Sequence, residues 1–121
     1  MILRHSSRAF EWPTLLLLAV TYALWAVGTT VVWSWSPVLA VILTALAVAQ
    51  QSSLQHEALH GHPFGNEHLN HALVFVPLGL IYPYIRFRDT HLAHHHDPIL
   101  TDPYDDPESN YQDPAVWARM S

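Results

Sequence analysis

The chain has 121 residues, half of them hydrophobic, with only 12% charged, ten His, no Lys and no Cys. A formal charge of −5 excludes the basic face that a nucleic-acid partner requires. The missing Cys excludes a disulfide framework and a thiolate metal site, and the length allows one domain or part of one.

A short polar head carries Arg4, His5 and Arg8. From Trp12 to His56 no Asp, Glu, Lys or Arg occurs, which leaves room for two membrane spans of about 20 residues each. A signal peptide would have an apolar core of about 7–15 residues; the run here is longer, and a second follows at once. A soluble bundle would need a polar face, and the stretch has none. The expected first span is 12–33, with Pro13 in its first turn. Trp12 and Trp33 would stand about 32 Å apart on a helix, the spacing of two interfacial aromatic belts. Ser34 to Pro37 reads as a tight turn. The expected second span is 37–55, apolar to about Val48 and continuing as helix through "AQQSSLQ". Arg4 and Arg8 precede the first span, and Arg86 and Arg88 follow the second. The positive-inside rule therefore puts the N-terminus and the His-rich region, 56–121, in the cytoplasm.

Residues 72–85, "ALVFVPLGLIYPYI", are apolar but short and broken by Pro77, Gly79 and Pro83. They read as a re-entrant or interfacial segment. Residues 97–114 are acidic and proline-rich and read as a solvated loop. Asp113-Pro114 reads as the cap and first turn of a further helix. The fold class expected is all-α: a transmembrane helical hairpin followed by cytoplasmic His-bearing helices.

Two His groups carry the chemistry. His56 and His60 in "HEALH", and His91, His94 and His95 in "HLAHH", each share one helix face, while His96 points away. Imidazole is a good ligand for Zn, Fe, Cu or Ni. His5 reads as surface, His68 and His71 as surface or outer residues, and His62 need not ligate if Gly61 ends the helix. His56-Glu57-x-x-His60 alone also fits a zinc protease, with Glu57 as general base. Five imidazoles are too many for one tetrahedral zinc and suit part of a two-metal site.

"HEALH" and "HLAHH", together with the text from Gln55 to Glu108, resemble the first and second histidine boxes of the membrane fatty acid desaturase and hydroxylase superfamily. The same stretch is similar to carotenoid ketolases, which carry Asp in place of Glu57. The resemblance implies an integral-membrane, non-haem di-iron oxidoreductase that uses O₂ to oxidise a lipid acyl chain, or a carotenoid. It implies two irons, an electron donor of ferredoxin or cytochrome type, and His56, His60, His91, His94 and His95 as iron ligands. Glu57 and Asp97 are the nearest carboxylates to orient those rings. Asn70 and the Asp105-Asp106 pair match the family text without an assigned role. The family's third box, His-x-x-His-His, is absent. The expectation is that these residues are the N-terminal part of a longer enzyme, and that alone they form an incomplete, inactive half-site or a truncated remnant.

Overall fold

Helix α1, Trp12–Thr29, opens with Pro13 in its first turn, where a missing N–H leaves no bond unmade. The computed structural model describes residues 10–96, 98 and 100–120. Among them all regular structure is helical. The chain divides into two compact units, Met1–Tyr84 and Ile85–Ser121, taken here one at a time.

In the first unit, α1 runs out at "TTVVW". The hydroxyls of Thr29 and Thr30 turn back onto the carbonyls of Trp25 and Ala26, which leaves no polar side chain seeking water there. A single 3-10 turn, Val32–Ser34, then reverses the chain. Ser36 caps α2, Pro37–Leu59, by accepting from the Leu39 N–H at 3.4 Å, and Pro37 is its first residue. The expected tight turn and both expected helices are therefore present. The second helix runs past the expected end at 55 and carries His56 within it.

The α1–α2 seam is made of small side chains. Thr21 and Gly28 of α1 and Ala40 and Ala47 of α2 are buried, with Leu18 the one large buried side chain of α1 among the described residues. A Cβ at Gly28 would come within 3.0 Å of Thr44 Oγ1. Small residues let helix axes approach closely without a water-driven core, which is the packing mode of helices in lipid. The outer faces hold Leu16, Leu17, Val20, Leu24 and Val27 on α1 and Val38, Val41, Ile42 and Leu46 on α2, all exposed. Two stretches, Trp12–Ser34 and Pro37–Leu59, are each 23 residues long and apolar enough to cross a membrane. Only 22% of the apolar window in each is buried, the reverse of a soluble core helix, so the hairpin has the make-up of membrane spans.

α2 ends in a Schellman motif. Gly61 takes φ +94°, its N–H donates to Ala58 O, and the His62 N–H donates back to Glu57 O. The expectation that Gly61 ends the helix and redirects His62 therefore holds. A further helix, α3, Glu67–Val74, is not among the expected elements. Asn66 caps it through the His68 and Leu69 N–H groups. Asn70, fully buried, then ties α3 to the preceding loop. Its Oδ1 accepts from the Phe64 N–H and its Nδ2 donates to Phe64 O, both at 2.9 Å.

The second unit is built on α4, Tyr84–His96, and α5, Pro114–Met120. Asp113 caps α5, accepting from Ala115 N–H at 2.7 Å, as the Asp-Pro pair implies. The acidic stretch between them departs from a plain solvated loop. Asp106 is buried, and its Oδ2 accepts from Thr101 N–H while Oδ1 accepts from Glu108 N–H. Asp102 closes a second turn onto the N–H groups of Tyr104 and Asp105. Proline denies the segment helical hydrogen bonds, so aspartates supply the acceptors instead.

Candidate metal centre

The first unit contributes the pair at the end of α2. Four residues apart, His56 and His60 leave the same face, with ring centroids 4.6 Å apart in an edge arrangement. His56 is half-buried, and His60 is the exposed C-cap residue. The Schellman turn fixes where His60 stands, because Gly61 and His62 are hydrogen-bonded back into the last turn. His62 is diverted from the pair: its Nδ1 lies 2.7 Å from Glu11 Oε2 at the start of α1. Beside it the Glu11 N–H donates to Pro63 O, and Phe10 stacks on Phe64. The beginning of α1 is thereby pinned to the loop after the first His pair. Glu57 is exposed. His68 is exposed on α3, and His71 packs against the Tyr84 ring at 5.5 Å.

The second unit contributes His91, His94 and His95 on α4. His91 Nδ1 lies 2.9 Å from Glu108 Oε2, and His94 Nδ1 lies 2.8 Å from Asp106 Oδ1. A carboxylate only accepts, so Nδ1 carries a proton in both rings, and a ring in its neutral form has its lone pair on Nε2. That is the arrangement by which carboxylates orient metal-binding histidines. His91 Nε2 and His95 Nε2 stand 2.9 Å apart. Imidazole–metal bonds of about 2.1 Å at right angles would put two such nitrogens about 3 Å apart, so this donor pair fits one first-row metal ion. His96 is excluded from the group, its Nδ1 bonded to Leu92 O of its own helix at 2.6 Å.

The Asp106 carboxyl is lowered from 3.8 to about 2, first by its hydrogen bond with His94 and then by the Glu108 and Thr101 N–H groups, against the opposing effect of burial. It therefore stays an acceptor across the physiological range.

The carboxylates that orient the rings are thus Asp106 and Glu108. The sequence had offered Glu57 and Asp97; Asp97 lies outside the described residues. Asp106 and Glu108 stand more than ten positions beyond their histidines, and only the Asp-Asp-Pro match to the family text marked the neighbourhood.

The model of the fatty acid desaturase family matches residues 33–121. The chain belongs to the fatty acid desaturase family. The matched region takes in both His groups, the acidic turn that orients the second, and all of α2. No curated protein and no solved structure gives a significant match. Family membership and two apolar helices of spanning length together make this a membrane-associated desaturase-type chain.

Proposed function

We propose that His56, His60, His91, His94 and His95 form part of the ligand set of a non-haem di-iron centre in a membrane-embedded oxidoreductase acting on lipid acyl chains. The observation that carries the reading is the state of the second His group. Two rings are held by carboxylates with Nε2 as the lone-pair nitrogen, and a third nitrogen lies 2.9 Å from one of them.

When bound, the iron pair supplies O₂-dependent oxidation of an unactivated C–H bond, with electrons from a ferredoxin or cytochrome-type donor. The chain's own residues do the rest. Neutral imidazoles bring no net charge, so the site's charge is that of the metal and of the Asp106 and Glu108 carboxylates behind the rings. The apolar outer faces of α1 and α2 keep the chain where acyl substrates are dissolved. Five imidazoles do not fill the coordination of two irons, so a complete pair needs ligands besides these five. Arg86 and Arg88, with Arg4 and Arg8, favour a topology with the His groups on the cytoplasmic side of a plasma membrane.

Metal analysis tests the reading. The protein is purified in detergent from its native membrane, as wild type and as His60→Ala and His94→Ala. Bound iron is expected in the wild type, with a several-fold loss in each variant. Iron unchanged in both variants removes these ligands. One zinc per chain, with peptide cleavage lost in Glu57→Gln, would instead establish the protease reading. Product analysis with acyl-lipid and carotenoid substrates separates a desaturase or hydroxylase from a carotenoid ketolase.

A further inference from the structure

Residues 74–84 leave α3 and enter α4 by way of a detour along α2. At the start of the detour, Gln55 Nε2 donates to Val74 O at 3.0 Å. One turn lower on α2, the buried Gln51 uses both ends of its amide. Its Nε2 donates to Val76 O and its Oε1 accepts from the Leu78 N–H, each at 2.7 Å. Lower still, a Cβ on Gly79 would come within 3.0 Å of Val48 Cγ1. Tyr22 of α1 holds the last turn of α3 by donating from its hydroxyl to Leu73 O. The chain thus descends beside Gln55, Gln51 and Val48 in turn, about 10 Å along the helix axis. It turns at Leu80, where φ is +56° and the N–H returns to Pro77 O, and rises again to the buried Tyr84.

The descent heads into the apolar half of α2, away from His56 and His60. At its foot, Leu80 and Ile81 are 83% and 80% exposed, with Tyr82, Phe75 and Val76 also uncovered. Two facts separate this patch from ordinary surface. It lies against the half-buried Val48, which shares a face of α2 with the exposed Val41 seven residues earlier. Three backbone groups on its way down, Val74 O, Val76 O and the Leu78 N–H, are also met by buried side-chain amides, which is how irregular backbone is satisfied below the membrane surface. In water those carbonyls would need no buried glutamine; in hydrocarbon they would.

We propose that residues 75–83 form a re-entrant loop inserted into the bilayer beside α2, that Leu80 and Ile81 lodge among lipid acyl chains, and that Gln51 and Gln55 are the residues that hold the loop there. This rests on the hairpin crossing the membrane, and the experiment separates the two. The sequence has no Cys, so single-cysteine variants are clean probes. Leu80→Cys, Ile81→Cys, Ile42→Cys on the outer face of α2 and Gly65→Cys in the loop after α2 are spin-labelled and reconstituted in phosphatidylcholine vesicles. Collision rates with O₂ and with a water-soluble nickel chelate are compared by EPR. Labels at 80 and 81 that favour O₂, as at 42, while 65 favours the chelate, establish the insertion. Chelate-accessible labels at 80 and 81 beside an O₂-favouring 42 overturn the loop and leave the hairpin standing. Labels at 80 and 81 shielded from both agents mean a protein surface covers them, which also overturns it. A chelate-accessible 42 removes the hairpin and the loop together. In the Leu80→Cys background, Gln51→Met is expected to sharpen the label's spectrum as the loop comes away. An unchanged spectrum removes the clamp.

Discussion

Asp106 concentrates three tasks in one side chain: it closes the 101–109 turn, accepts from His94, and remains ionised. Glu108 performs only one of these, holding His91. The two acids therefore separate orientation of a ring from integrity of the turn. Glu108→Gln is expected to weaken iron binding roughly 10–100-fold, the usual cost of losing a carboxylate behind a ligand histidine, with the Thr101 amide unmoved and the residue-108 amide still hydrogen-bonded to Asp106. Asp106→Asn is expected to weaken iron at least as much and also to shift those amides, because an amide cannot accept on both sides. Titration by NMR reading the same two amides and equal loss in both variants without amide shifts would show that Asp106 acts on the ring alone. The pH response of the turn follows from the same carboxyl. Its folded value is depressed from 3.8 to about 2, so its stabilisation is complete above the ordinary carboxylate range. That stabilisation declines as pH falls between those values and is gone below about 2. Protection of the Thr101 N–H from exchange should track this window in the metal-free protein; protection lost already near pH 5 would sink it. These acids were hard to find in the sequence because they act across a proline-broken loop. With no 3.6 or 2.0 period there, spacing does not say which carboxylate returns to which histidine, and proximity along the chain offers only Glu57 and Asp97.

At the scale of elements, what could be read locally was read. The hairpin, the turn at 34–37, Gly61 as the end of α2 and Asp113-Pro114 as the start of α5 are all signals contained within a few residues. What could not be read needs partners distant in sequence. Asn70 matched the family text without a role because its role is a paired hydrogen bond to the Phe64 backbone, visible only once α3 folds back on its loop. Gln51 and Gln55 looked like a helix leaving hydrocarbon, whereas both turn inward to carry the 74–78 backbone. The Phe64 clamp and the glycine together set the exit of α2, and each has its own cost of failure. Asn70→Asp keeps the shape but offers an acceptor to Phe64 O, so it should cost about 2 kcal/mol of stability. Gly61→Ala meets no neighbour but places a Cβ on a left-handed backbone, worth about 1 kcal/mol. Thermal unfolding in detergent should rank Asn70→Asp below Gly61→Ala and both below wild type. The reverse order would mean that the glycine's geometry, and not the asparagine's clamp, controls this exit.

For the molecule as a whole, the composition already contained the main constraint. A charge-free stretch longer than one span, followed by a region holding nearly all the His and most of the acids, cannot be solvated uniformly. The structure gives that stretch as two helices of spanning length whose apolar faces stay uncovered, and such faces are stable only where lipid covers them. Sidedness is the consequence that remains open to measurement. Two spans must return the chain to its starting side, so Ser34, in the turn between them, and Gly65, after the second, belong on opposite faces of the membrane. The topology proposed from the Arg residues would put Gly65 in the cytoplasm. Both positions are exposed, and the sequence offers no native thiol to confuse labelling. With Ser34→Cys and Gly65→Cys expressed separately, a membrane-impermeant maleimide should label only Ser34→Cys in right-side-out vesicles and only Gly65→Cys in inverted ones. The opposite pattern would keep the hairpin and reverse its direction, moving the His groups away from any cytoplasmic electron donor. Labelling of both variants from one side would mean that the hairpin does not cross, and the lipid-facing role of α1 and α2 would fall with it.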